Sequence, residues 1–359
     1  MEKSKLKALS DYIFAAVLYL LINFTVFHAG LYRYLCKPES YAGNVYGRLQ
    51  ILNEIERKNA AKVVALVGDS ITEEGIDPVR FSAGIGKPVA NLALPGASPF
   101  DWFFFLRAID SKQNRFDSIL MTVIPQKVRA QAHDDGIQTL LPVANIPLML
   151  EYLSSRRQVW RYREDYYATF DRIFGFRRDL RELILDPDRR KNLIGARKEQ
   201  LERIRSYSGQ TFDVCHVVIN PLNGRITNWG QIQDPEVRRL TRHNINRISK
   251  LNRNPEASGI TGPFRRIAES YRNGDTHITI VSVPFGPGNR IVRDSPAIER
   301  YLAELKRLEK EFGTEHWVPF DENFLHDCSN FFDYRHLNHK GRLLFSTWLS
   351  QRWNSGNAQ

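Results

Sequence analysis

The residues best suited to chemistry stand far apart in this chain. Residues 62–72 read KVVALVGDSIT, an apolar, β-branched run from Val63 to Val67 that stops at Gly68 and delivers Asp69 and Ser70 at the C-terminal edge of an expected parallel strand. Open α/β sheets put their chemistry at that edge. A serine that begins a turn into a helix there exposes its hydroxyl, and its backbone N–H can face a reacting carbonyl. Gly-Asp-Ser is also an ordinary turn, so the tripeptide alone leaves both readings open. A second group is Asp333 and His336 in FFDYRHLNHKGRLLFSTWL, residues 331–349. Three residues apart, they can be aimed at one point by a helical turn or tight loop. The carboxylate then holds the imidazole tautomer while the other ring nitrogen takes a proton from serine. A solvated loop carrying a charged pair is the alternative. In a third segment, NLALPGASPFDW at 91–102, an apolar run ends in Gly96, whose missing side chain lets a backbone N–H approach an oxyanion.

Strand then Gly-Asp-Ser, strand then Gly, and a late Asp-x-x-His-x-Asn before a terminal helix form a block order that resembles the SGNH/GDSL hydrolase family. The resemblance covers residues 60–126 and 276–353. It implies Ser70 as nucleophile, His336 as base, Asp333 as its orienting acid, and an oxyanion hole from the backbone of Ser70 and Gly96. One block departs from the pattern. After SILMTVI (118–124) the family shows Gly-x-Asn-Asp, whose asparagine donates to the oxyanion, whereas this chain reads Pro125-Gln126-Lys127. Gln126 carries the same amide donor on a longer stem, although a glutamine after a strand is commonly a polar loop residue. Losing one such donor costs on the order of 3 kcal/mol of transition-state stabilisation, which leaves room for activity. The Pro-Gln at this place is weakly similar to the membrane-anchored D-alanyl-transfer proteins of teichoic-acid biosynthesis in the same family.

Residues 12–35, YIFAAVLYLLINFTVFHAGLYRYL, form an apolar run long enough for a membrane helix, which needs about 20 residues. Tyr32, Arg33 and Tyr34 look like an interfacial belt. No small-x-small cleavage site follows, since Phe27 stands where a small residue would precede Ala29, so an uncleaved signal anchor is expected. A buried core helix is the alternative. Lys3, Lys5 and Lys7 favour a cytoplasmic N-terminus, which places the remaining chain outside the cytoplasmic membrane, on the periplasmic side. Arg33 and Lys37 blunt that bias.

Three cysteines in 359 residues exclude a disulfide scaffold. Cys215 and Cys328 could pair outside the cytoplasm, with buried thiols the alternative. No Cys-x-x-Cys or His-Glu-x-x-His spacing suggests a metal, and no cofactor is expected. Among the scattered histidines, His339 is the rival to His336 as base. The formal charge of +11, from 51 basic and 40 acidic residues, fits an acidic polymer, an anionic membrane surface or simple solubility. Nucleic acid is not expected as a partner, because no recognition motif appears.

Behind these residues the pattern predicts strands at 62–68, 87–93, 117–124, 276–285 and 316–320, with helices at 99–111, 295–312 and after Asn338. That alternation argues for an α/β fold, a doubly wound parallel sheet with helices on both faces. Four parts are expected: an anchor at 1–36, a stalk helix at 37–60, an SGNH-like catalytic domain at 61–126 and 276–353, and a helical cap insertion at 127–275. The insertion is too long for a plain connection. It is basic and aromatic, and Trp160, Tyr162, Tyr166, Tyr167 and Phe170 are read as a core-packing stripe, with a sugar-stacking platform as the alternative. TFDVCHVVINPLNGRITNWG at 211–230 could be a hairpin turning at Asn223-Gly224.

A serine, histidine and aspartate with an oxyanion hole perform acyl transfer through an acyl-serine. The expectation is therefore an O-acyltransferase or esterase acting on a cell-envelope or exported polysaccharide. The family resemblance also implies partnership with a multi-pass membrane acyltransferase. A non-catalytic glycan-binding or assembly subunit that keeps the fold is the alternative, and a general lipase or thioesterase is a third reading.

Overall fold

The computed structural model describes residues 2–28, 30–123, 136–155, 163–206, 235, 261–283, 296–319, 324, 327–332 and 336–356. Along the chain run α1 (Glu2–Asn23), a π turn (Phe24–His28), α2 (Tyr32–Leu35), α3 (Tyr41–Lys58), β1 (Val63–Val67), α4 (Ser70–Gly75), α5 (Pro78–Ile85), β2 (Val89–Asn91), α6 (Pro99–Ile109) and β3 (Phe116–Val123). Seven helices follow: α7 (Gly136–Leu140), α8 (Ile146–Ser154), α9 (Arg163–Phe170), α10 (Arg172–Gly175), α11 (Arg177–Leu185), α12 (Pro187–Gly195) and α13 (Arg197–Ser206). Then come α14 (Thr261–Tyr271), β4 (His277–Ser282), α15 (Pro296–Phe312), β5 (Glu315–Trp317) and α16 (His339–Gly356).

The strands form where aliphatic runs can be buried on both faces. All five residues of β1 are buried, which is why the sequence shows a continuous apolar run there and no alternation. The sheet order is β2-β1-β3-β4-β5, with every neighbouring pair parallel. Val64, Leu66 and Leu120 share a core with Phe81 of α5 and with Phe345, Leu349 and Trp353 of α16. Ile119 and Met121 alternate with Leu120 and are also fully buried, so the other face is covered too. Trp102 of α6 meets Phe264 of α14 edge-on at 6.3 Å between ring centroids. β5 starts one residue earlier than the pattern predicts and ends before Val318-Pro319, where proline has no N–H to offer the ladder.

The chain divides into two units, one made of 1–47 and 137–200, the other of 48–136 and 201–359. The divisions fall inside α3 and α13. The sheet unit includes the second half of α3, whose Ile51 packs with Leu201 and Ile204 of α13. It also includes α14, whose Tyr271 hydroxyl donates to Asp110 at 3.0 Å. Residues 201–206 and 261–275 of the expected insertion thus group with the sheet; the segment 211–230 lies outside the described residues.

In the other unit, α1 and the π turn after it carry an apolar span, Lys7–Phe27, long enough to cross a membrane and with none of its most apolar window buried. The residues after it are core. Tyr32 and Cys36 are fully buried, and Phe27 stacks on Phe176 at 5.5 Å while Tyr32 lies 4.4 Å from the same ring. The Tyr32 hydroxyl donates to Asp179 at 2.8 Å, and that carboxylate also receives Arg190 at 2.9 and 3.0 Å. Burial pushes the Cys36 thiol up to about 11. On α9 the expected core stripe is not realised: Ala168 and Thr169 are buried, whereas Tyr167 and Phe170 are 66% and 57% exposed. Trp160 and Tyr162 lie outside the described residues.

Candidate active site

The strand-to-helix turn after β1 depends on Gly68. A Cβ there would sit 1.6 Å from the Thr72 hydroxyl oxygen and 2.7 Å from its Cβ, so a side chain at 68 would push the first turn of α4 off the sheet. Thr72 is in turn hydrogen-bonded to Thr122 of β3. Asp69, 4% exposed, caps α4: its side chain accepts from the Ile71 N–H at 2.9 Å. The aspartate of the Gly-Asp-Ser therefore shapes the turn, and Ser70 is left as the first helical residue, where backbone N–H groups have no carbonyl four residues back.

Two further contacts tie α4 down. The Arg48 guanidinium, fully buried on α3, donates to Glu73 at 2.7 Å and to the Asn91 carbonyl at 3.1 Å. One side chain thus fixes both the nucleophile helix and the end of β2. From α16, Arg342 reaches the Glu73 carbonyl at 3.5 Å.

Beyond β2 the pairing continues, with Leu92 N–H to Leu66 O and Leu94 N–H to Gly68 O, both at 2.8 Å. This keeps the two chains side by side past the strand ends. The chain then turns through Leu94-Pro95-Gly96-Ala97, closed by Ala97 N–H to Leu94 O at 3.0 Å. Gly96 has φ +81, the value a type II turn demands at its third position after a proline at the second. Ser98 and Asp101 form a capping box that starts α6. Gly96 accordingly follows the same sheet edge as Ser70.

His336 reaches that edge from a hairpin. Phe331 and Leu337 form an antiparallel bridge, Phe332 N–H donates to the His336 carbonyl at 3.1 Å, and Asn338 N–H donates to Asn330 O at 2.9 Å. The Asn338 side chain donates to Ser329 O at 2.7 Å and caps α16 by accepting from Gly341 N–H at 3.1 Å. Gly341 lets this turn close, since a Cβ there would lie 2.1 Å from Asn330 O. The imidazole stacks on Phe332 at 5.3 Å and is 6% exposed.

The result is a Ser70 Oγ to His336 Nε2 distance of 3.0 Å across 266 residues of sequence. With Nε2 unprotonated, the hydroxyl donates to it, which is the geometry of a nucleophile and its base. The serine contact goes to His336; His339 instead opens α16. Asp333 and Gln126 lie outside the described residues. Sequence reading missed Glu74, whose Oε2 lies 3.8 Å from the same Nε2. Its signal was the four-residue spacing from Ser70, which puts both on one helix face. The contact sets a carboxylate beside the ring nitrogen that faces the serine.

His316 is half-buried with a different partner set. Its Nε2 is 3.1 Å from Ser282 Oγ, which lies 2.8 Å from the Tyr301 hydroxyl. Burial, aided by the Lys306 charge, brings it down to about 4. Among the described residues no cluster of three or more His, Cys, Asp or Glu side chains is placed to hold a metal ion. No protein-family model matches the chain, and no curated protein matches it.

Proposed function

We propose that this protein is a membrane-anchored serine acyl-transfer enzyme of the SGNH/GDSL type, acting outside the cytoplasmic membrane on an envelope or exported polysaccharide. The observation that carries the reading is the 3.0 Å contact between Ser70 Oγ and His336 Nε2 at the C-terminal edge of a parallel sheet. Ser70 attacks an acyl carbon as its proton passes to Nε2. The carbonyl oxygen becomes an oxyanion, for which the Ser70 and Gly96 N–H groups and the Gln126 amide are the proposed donors. Collapse expels the alcohol, which takes the proton from Nε2, and leaves acyl-Ser70. An acceptor hydroxyl then gives its proton to Nε2 and receives the acyl group, restoring the serine. Asp333 is assigned the orienting role on the imidazole.

Transfer to a sugar hydroxyl is favoured over hydrolysis, because transfer requires a held acceptor and excluded water. The stretch 127–275, rich in Arg and carrying Trp160 and Trp229 with several Tyr, offers residue types that can hold an oligosaccharide. The multi-pass acyltransferase partner belongs to the same proposal and rests on family resemblance.

The test is labelling with a serine-reactive phosphonate followed by peptide mapping, alongside turnover of a model acetyl ester. Label on Ser70, and a loss of roughly 10⁴–10⁶ in turnover for Ser70→Ala and His336→Ala, are expected. Near-normal turnover by Ser70→Ala, or label elsewhere, would refute the assignment and leave the non-catalytic reading. Acceptor partition then separates the two reactions: free acetate alone, at every concentration of envelope oligosaccharide, would make the enzyme a hydrolase.

A further inference from the structure

The Tyr19 hydroxyl, midway along the apolar span of α1, donates to the Asp171 carboxylate. Tyr19 is eight residues before the end of the span at Phe27, about 12 Å along the helix at 1.5 Å per residue. Asp171 joins α9 to α10. It caps α10 by accepting from Phe174 N–H at 3.1 Å, so its carboxylate is satisfied from both sides. The elbow is also fixed from behind: the buried Arg172 guanidinium donates to the Leu141 and Ala144 carbonyls at 2.7 and 2.9 Å. A bilayer that covers the span down to Phe27 therefore also covers whatever surrounds Asp171. What surrounds it in sequence is apolar and exposed, namely Tyr167 and Phe170.

The next helix has matching chemistry. On α11, Leu180, Leu183 and Ile184 follow an i, i+3, i+4 pattern, with Arg177, Arg178 and Arg181 on other positions. No residue of α11 is buried, and Ile184 and Leu185 are 75% and 68% exposed. Leu180 and Leu183 are half-buried, and among the described residues no protein covers Ile184 and Leu185 at the end of this face. Asp179 and Glu182 of α11 are engaged by Arg190, and Arg177 by Glu164, which leaves Arg178 and Arg181 to meet headgroups. An amphipathic helix of this kind lies in the plane of an anionic lipid surface, with its apolar side in the acyl boundary.

We infer that α9 to α11, residues 163–185, form a second membrane-inserted element that enters the anionic bilayer beside α1, with the Tyr19–Asp171 hydrogen bond as its internal polar lock. This rests on the reading of α1 as a membrane span. The lock accounts for an aspartate at this depth, because an acidic group near hydrocarbon requires a partner. The element holds its unit at a fixed height on the membrane, in place of a tether from which the unit hangs.

The experiment uses the full-length chain in nanodiscs of anionic lipid, with and without brominated acyl chains. Single variants Phe170→Trp, Ile184→Trp and Ile13→Trp are compared with the parent, whose native tryptophans give the background. All three introduced tryptophans should lose fluorescence in brominated discs beyond the parent's loss, and the loss at Ile184→Trp should shrink in zwitterionic discs. Quenching of Ile13→Trp without any at Phe170→Trp and Ile184→Trp would overturn the inserted element and leave the span standing. Equal quenching of Ile184→Trp in both disc types would overturn the anionic preference. No quenching at any of the three would overturn the span itself, and the inserted element with it.

Discussion

Replacing Arg48 with methionine tests whether one buried cation holds the nucleophile helix in place. Its side chain is 0% exposed against 18% for Glu73, and it is bonded to that carboxylate at 2.7 Å and to the Asn91 carbonyl at 3.1 Å. Removing one partner of a buried ion pair costs about 3–5 kcal/mol, because the other charge is left in low dielectric. Glu73 keeps some access to water, which sets the expected loss for Arg48→Met near the lower end, about 3 kcal/mol. Removing both partners eliminates the stranded charge. Arg48→Met with Glu73→Met should therefore be more stable than the sum of the single losses predicts, by roughly 1–3 kcal/mol. Lysine should not restore the contacts, since it lacks the planar fork that reaches two acceptors. The assay is urea unfolding followed by tryptophan fluorescence on all four members of the cycle, with ester turnover alongside. Turnover should fall by up to about 10² in Arg48→Met, as expected for a displacement near 1 Å of the attacking group. Additivity within about 0.5 kcal/mol would refute the reasoning, because it would mean that Arg48 and Glu73 do not act as a pair.

Two further outcomes follow from groups away from the serine. His316 is held down from 6.5 to about 4, so the unfolded chain binds its proton first; the stability it contributes is complete above pH 6.5 and is lost as pH falls toward 4. At about 1.4 kcal/mol per pH unit the full loss approaches about 3 kcal/mol; unfolding midpoints of wild type and His316→Gln should converge over that range, and a constant difference would refute the assignment. A chain that begins at Lys37 lacks the buried Tyr32 and Cys36, and loss of a large core aromatic costs about 3–5 kcal/mol. Hydrogen exchange in residues 171–195 should be much faster in 37–359 than in 30–359, and equal protection would show that Tyr32 is not part of that core.

The sequence by itself determined the sheet and the two chemical groups. Runs such as Val63–Val67 and Ile119–Met121 must be buried on both faces, and a chain that alternates such strands with helices has few arrangements other than a parallel sheet. Gly68, Asp69 and Ser70 announced a strand-to-helix turn because glycine and a capping aspartate have local physical roles there. The Leu94–Ala97 turn was legible for the same reason, with proline and glycine in the order that a type II turn needs. Only the tertiary structure brought the imidazole of His336, which the family resemblance already favoured over His339 as base, to Ser70, because 266 residues separate the two in sequence. It also decided that Arg48, in a helix read as a stalk, is buried among sheet residues, and that Tyr32 and Cys36 lie in a core. Charge and aromaticity do not disclose their surroundings: an arginine is ordinarily solvated, and it becomes a buried clamp only where a distant carboxylate and carbonyl converge on it. The exposed faces of α9 and α11 were hidden for the converse reason. An apolar stripe reads the same whether protein or lipid covers it, and its cover is settled by what the rest of the chain brings alongside.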